Sequence, residues 1–278
     1  MTTLLGCDFS SAPSRRKAIV HAVGHVDRGR VVLQRQDRFE SLDDWAAWLA
    51  DDAHLPWVGG FDLPFGLPRE LVEHLGWPTS WVDCIRHYAS LSRQDIRDAF
   101  AAFCHQRPIG GKFAHRATDG PAGSSPSMKW VNPPVAFMLH AGVPRLLGAG
   151  AEFPGLATGD PRRIALEAYP GLLARSVLGS TSYKSDEVRR QTADRLIARR
   201  TLIHALENGD PPLMRDAGLR LRLTHSQRDA LADDASGDSL DAVLCLIQAA
   251  WAWQLHERGD EHWGLPAFDP LEGWILGA

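Results

Sequence analysis

One stretch near the end of the chain, DSLDAVLCLIQAAWAWQ (238–254), does most to limit what this sequence can fold into. After Asp241 it runs through Ala, Val, Leu, Cys, Ile and Trp, with Gln248 as the only polar interruption. A helix that is apolar on every side has to be buried. The apolar run is too short to span a bilayer, which takes about 20 residues, so it reads as the core helix of a large domain. The chain's 278 residues are enough to build one. Yet two carboxylates, Asp238 and Asp241, stand at the head of this helix. Being three residues apart, they share a face. Asp238 as an N-cap and Asp241 beside the positive end of the helix dipole would explain them without any function.

The rest of the chain reads as strands and helices that could cover this core. TLLGCDF (3–9) is a short buried strand ending in an acid. KAIVHAVGHV (17–26) and RVVLQRQ (30–36), separated by Asp27-Arg28-Gly29, predict a hairpin. Ser41 opens SLDDWAAWLADD, with Asp44 in the capping-box position. Leu42, Trp45, Trp48 and Leu49 recur at helical spacing, predicting a helix over 42–52. PWVGGFD (56–62) is a further strand, stopped by Pro64. This order predicts a mixed sheet. Residues 69–160 read as a helical insertion, with segments at RELVEHLG, WVDCIRHYA and RQDIRDAFAAFCHQ, then a Gly-Pro-Ser loop (107–127) and a helix starting at Asn132-Pro133. RRIALEAYP (162–170) is a fifth strand, a basic helix spans about 186–207, and the 238–254 helix closes the fold.

Acids therefore recur at strand ends (Asp8, Asp62 and Glu167) and at the buried helix head. A buried, unpaired carboxylate is costly, and several close together repel one another and take up protons. Divalent cations remove that conflict. Magnesium and manganese favour oxygen ligands, and a pair of such ions suits phosphodiester hydrolysis.

The ordered set GCDFS (6–10), GGFDLPFGLP (59–68), EAYPGLL (167–173), YK (183–184) and DSLDAVLCLIQAA (238–250) resembles domain-of-unknown-function family 429. That is a family of predicted nucleases in the ribonuclease H-like superfamily. The resemblance implies an α/β, ribonuclease H-like mixed five-stranded sheet. Its β1-β2-β3 would be antiparallel, with helices on both faces, and 1–278 would be a single domain carrying the 69–160 insertion. It implies a metal-dependent nuclease acting on DNA or RNA with Mg2+ or Mn2+ bound by Asp8, Asp62, Glu167, Asp238 and Asp241. Asp8 would bridge two ions, Asp62 and Asp241 would each hold one, and Asp238 would complete a site or orient a water. Lys184 would meet a phosphate or screen the acids, or else be a solvated lysine at a helix start.

Two alternatives stand beside this reading. One is an ATP-using enzyme of the sugar-kinase and actin-like type. Against it, Asp8-Phe9-Ser10-Ser11 lacks the glycine that such proteins place after the first strand's Asp, and no second copy of the subdomain is apparent. The other is a non-catalytic binding module. The net charge of −4 is not that of a typical nucleic-acid binder, although a local basic groove is compatible with it. Arg189, Arg190, Arg195, Arg199 and Arg200 fall in two clusters, as on a solvated helix. The loop carrying Lys112, His115, Arg116 and Lys129 could fold over a substrate, but its Gly-Pro-Ser content reads more as a mobile surface loop. No HExxH, P-loop or CxxC motif occurs. Four scattered cysteines and an N-terminus without a signal-peptide pattern lead to the expectation of a cytoplasmic protein with no membrane partner.

Overall fold

The computed structural model describes residues 2–278 and shows an α/β protein built on one mixed sheet. Its strands are β1 (Thr3–Asp8), β2 (Ile19–Asp27), β3 (Arg30–Phe39), β4 (Trp57–Asp62), β5 (Ala151–Glu152), β6 (Asp160–Glu167) and β7 (Arg220–Arg222). They lie in the order β5-β6-β4-β1-β2-β3-β7. The expected antiparallel β1-β2-β3 unit is present, and β4 joins β1 in parallel, as a strand arriving by a helical crossover should. The sheet has seven strands where five were expected. The two additions, β5 and β7, are edge strands of two and three residues, too short to show any alternation in sequence.

β1 is central, and its alternate residues feed two separate cores. Leu5 and Cys7 face one side, with Trp45 and Leu49 of α1 (Leu42–Ala50) and Phe61. That side is also covered by α2 (Arg69–His74), α3 (Trp81–Ser90), α4 (Arg93–His105) and α6 (Val135–Gly148), which supply Leu71, Tyr88, Phe100 and Leu139. The helical segment 69–160 thus packs onto the sheet. It also contains α5 (Asp119–Ala122) and, near its end, β5. Leu4 faces the other side with Val58, Ile164 and Leu166. The helices there are α7 (Pro170–Leu178), α8 (Ala193–Asn208), α9 (Pro212–Ala217), α10 (His225–Asp233) and α11 (Asp238–Glu257). Among the described residues, no helix is long and apolar enough to cross a membrane.

Several local expectations are met and others shift. Ser41 accepts a hydrogen bond from the Asp44 amide at 3.0 Å, and Ser92 with Asp95 forms a full capping box. The helix expected from Asn132-Pro133 begins at Val135, behind two consecutive prolines. The basic segment expected as one helix over 186–207 is a single 3-10 turn (Val188–Arg190) followed by α8. Arg199 is buried and donates to the carbonyls of Tyr183 and Ala232 (2.8 and 2.6 Å), so it ties the 183 loop to α10.

α11 lies directly on the two central parallel strands. Gly6 and Gly60 are register partners on β1 and β4. A Cβ at Gly6 would come within 2.0 Å of the Ala242 carbonyl oxygen, and one at Gly60 within 2.6 Å of the Cys245 carbonyl oxygen. Only glycines let the helix backbone approach this closely. Two residues further along the same strands, on the same face, stand Asp8 and Asp62. The head of α11 is therefore set down beside both acids.

Candidate active site

Asp8 and Asp62 end neighbouring parallel strands and are themselves register partners. Asp241, wholly buried, faces them from the first turn of α11. The acids at the head of this helix are not its caps. Gly237, at φ 81°, holds the N-cap position, and Asp234 ties down the preceding turn by accepting from the amides of Ser236 and Ser239 at 3.2 and 2.9 Å. This settles the N-cap explanation of Asp238. Its carboxylate accepts from Lys17 Nζ at 2.6 Å, and the same ammonium reaches Asp186 at 3.0 Å.

The cluster is short of partners. No side-chain or backbone hydrogen bond among the described residues stabilises the carboxylate of Asp8, which is 8% exposed, or that of half-buried Asp62. Burial, then the charge of Asp241, pushes Asp8 well above the ordinary aspartate pKa. The same two causes in the same order raise Asp62 to about 7. Asp241 is better served, because Tyr183 Oη donates to Oδ1 and Lys184 Nζ to Oδ2. Burial works against the Lys184 ammonium, but Asp241, Tyr183 and Asp8 outweigh it and hold its pKa well above the usual lysine value. Burial likewise opposes the charge of Lys17, and Asp238 prevails, raising it to about 12. The stem of Lys184 lies over Gly237, where a Cβ would meet the lysine Cβ at 2.7 Å.

Glu167 does not join the Asp8–Asp62 pair. In the register between β4 and β6 it is the partner of Phe61, one residue out of step with Asp62. Successive residues of a strand face opposite sides, so Glu167 points to the other face. There Arg116 grips it with two bonds, Nη1 to Oε2 at 2.8 Å and Nη2 to Oε1 at 2.7 Å, and the Phe65 amide adds a third at 2.9 Å. Its expected role as a metal ligand is corrected by that parity: in this structure Glu167 is the anion of a closed ion pair. Its charge still contributes to the raised pKa of Asp62.

Lys17 is a polar residue of this region that the sequence does not mark, while Tyr183 enters only as part of the YK pair and Arg116 only as part of a loop. The mobile surface loop expected around Arg116 instead buries it, at 3% exposed. Lys17 lies in a polar turn with no distinguishing pattern. Tyr183 carries a signal only through the YK pair (183–184) that contributes to the resemblance.

A divalent cation suits the chemistry of this donor set. Asp8, Asp62 and Asp241 are hard oxygen donors, two of them without protein partners. The ammonium groups of Lys184 and Lys17 already supply the positive charge the acids require. Among the described residues, no three His, Cys, Asp or Glu side chains stand close enough to hold one ion together, and Asp241 is engaged by Tyr183 and Lys184. A cation held by all three acids would require Asp8, Asp62 and Asp241 to draw together as Lys184 leaves.

A cavity of about 240 Å3 opens beside the cluster and shares Asp62 and Lys184 with it. No protein-family model, curated protein or solved structure matches the chain.

Proposed function

We propose that the chain is a divalent-cation-dependent phosphodiester hydrolase acting on nucleic acid, on a sheet of ribonuclease H-like type extended by two edge strands. The observation that carries this reading is the pair Asp8 and Asp62, side by side at the ends of adjacent strands. They are buried or half-buried, unpartnered, and faced by Asp241 under a lysine ammonium. A carboxylate placed for structure alone would be paired or solvated, since leaving it desolvated and bare costs free energy.

Asp8, Asp62 and Asp241 are the residues that would hold Mg2+ or Mn2+. When bound, such an ion lowers the pKa of a coordinated water and offsets charge on the phosphate. Lys184, once displaced from Asp241, would stay beside the cluster with its stem over Gly237 and could meet a non-bridging phosphate oxygen. Tyr183 keeps Asp241 oriented through its hydroxyl. Asp238, neutralised by Lys17, holds the loops carrying Lys17 and Asp186 across the edge of the cluster. Glu167 acts through the backbone: by fixing the Phe65 amide it steadies the 62–65 turn that carries Asp62.

Titration with Mn2+ tests the reading. The wild-type melting temperature rises with millimolar Mn2+ by several degrees, because a ligand at 100 times its Kd adds about 2.7 kcal/mol. Incubation of mixed DNA and RNA oligonucleotides with Mn2+ gives cleavage. Asp241→Asn abolishes both responses. A melting curve that Mn2+ leaves unmoved defeats the proposal.

A further inference from the structure

We infer that the cavity beside Asp62 is a pocket for the base of one unpaired nucleotide, so that the substrate is a single-stranded or frayed nucleic acid and not an intact duplex. This inference rests on the phosphodiesterase reading above. The pocket runs from the acid cluster toward the helical side of the sheet. Its walls are Pro64 after β4, Val135 and Met138 of α6, and Tyr169 after β6. These are flat or adaptable apolar surfaces: a proline ring, a thioether and an aromatic ring. Arg175 lies over the Tyr169 ring at 5.2 Å and supports that wall.

Size decides against larger occupants. At about 240 Å3 the pocket is smaller than the roughly 300–1,000 Å3 that hold a complete drug-sized ligand. It admits one planar ring system with part of its sugar. A duplex presents its bases stacked and paired, so a base can enter a closed pocket only from a single strand or after extrusion. The charged groups of the lining are Asp62 and Lys184, which also belong to the acid cluster, and Arg116 and Glu167, which are already closed on each other as an ion pair. Ser124 donates its hydroxyl to Asp119, while the Ser125 hydroxyl, on the pocket wall, makes no hydrogen bond among the described residues. Recognition is then mainly by stacking and shape, which tolerates any base.

The position matters as much as the shape. Asp62 and Lys184 belong both to this cavity and to the acid cluster. A base seated against Met138 and Tyr169 therefore places its own phosphate at the mouth, over the carboxylates and within reach of Lys184. The helical segment supplies most of the wall opposite the sheet, which gives that segment a part in substrate choice.

The test compares a short oligonucleotide single strand, as DNA and as RNA, with the same sequence as a blunt duplex, in Mn2+. Wild type processes the single strand faster by roughly ten- to a hundredfold, the range expected of one base–aromatic stack. Val135→Trp fills the pocket and removes that advantage while keeping the Mn2+-induced melting shift. Ser125→Trp, on the neighbouring loop, is the second variant and does the same if Val135→Trp fails to fold. Inhibition by dAMP as strong as by unlabelled oligonucleotide assigns the pocket to free nucleotides, and weaker inhibition assigns it to strands. The first result overturns the single-stranded substrate inferred here, and the second supports it. Equal processing of duplex and single strand, or a foldable filled-pocket variant that still prefers single strands, overturns the inference. If wild type shows no Mn2+ shift, the phosphodiesterase reading fails instead. In that case binding of dAMP to wild type but not to Val135→Trp still identifies the pocket.

Discussion

Glu167 and Asp241 are both buried acids near the same end of the sheet, and their surroundings differ in kind. Around Glu167 every charge has a fixed partner. Arg116, with its side chain 2% exposed, holds Glu167 and also donates to Asp119 at 3.1 Å and to the Glu272 carbonyl at 3.0 Å. Glu272 in turn accepts from the amides of Ala117 and Arg69 at 2.9 and 2.8 Å, stapling the C-terminal segment to the helical side. Around Asp241 the counter-charges come from loops. Lys184 and Lys17 keep about 40% of their side-chain surface exposed, and Asp8 and Asp62 have no partners at all. A closed network gives one geometry. An open one, held by cations that can leave, leaves its acids available to another ion.

The largest effect should come from breaking the closed network. Arg116→Met strands Glu167 and Asp119 without their cation, a change that costs about 3–5 kcal/mol in buried pairs. For a chain of this size that is a drop of roughly 10 °C in melting temperature, read by calorimetry. A variant melting within a degree or two of wild type would mean that the Arg116 cluster is as replaceable as the open one, and the contrast would collapse.

Substitution in the open cluster should move stability the other way. Asp8→Asn removes a carboxyl that burial and Asp241 make costly to ionise and that no hydrogen bond holds, so the metal-free variant should be more stable than wild type, by about 1 kcal/mol. It should also lose the Mn2+ response. Asp241→Asn forfeits the bond from Lys184 and gains nothing comparable. The two substitutions together distinguish an unpaired acid from a paired one, and a destabilised Asp8→Asn would show that Asp8 has structural work after all.

The open cluster was far more legible in the sequence than the closed one, for physical reasons. Asp8 and Asp62 each follow an apolar strand, and Asp238 and Asp241 precede an apolar helix. The acid stands out because burial is written all around it. Glu167 looked the same. What separates it is a register offset of one residue between β4 and β6, which is a property of pairing and not of either strand's own pattern. Arg116 sits among Gly, Pro and Ser residues that read as a mobile loop, and its partners lie 51 and 156 residues away. Long-range ion pairing leaves no local mark. The central strands and the buried helix were readable from periodicity, whereas β5 and β7 exist only because a longer neighbour offers them an edge.

The smallest expected effect is on pH dependence, and it sharpens the contrast within the open cluster. The native pKa of Asp62 is about 7 against an ordinary 3.8, so between those values the folded state holds a proton that the unfolded chain has released. The contribution of Asp62 to the stability of the metal-free protein then falls as pH rises from about 4 to about 7, and levels off above. Asp8, raised by the same causes, adds to the fall. Buried His21 pulls the other way. Burial, then the charges of His54 and Arg35, lowers it to about 3, so its contribution is lost as pH drops below the ordinary value of 6.5. Trp45 donates to its Nε2 at 2.8 Å, which keeps the ring neutral in the core. Melting temperatures taken from about pH 5 to about pH 8 should decline by a few degrees in wild type. The decline should be shallower in Asp62→Asn, and flattened in wild type by Mn2+, which replaces the proton as the partner of the acid. A decline equally steep in Asp62→Asn would mean that the pH response originates elsewhere and that Asp62 is already ionised and content without a cation.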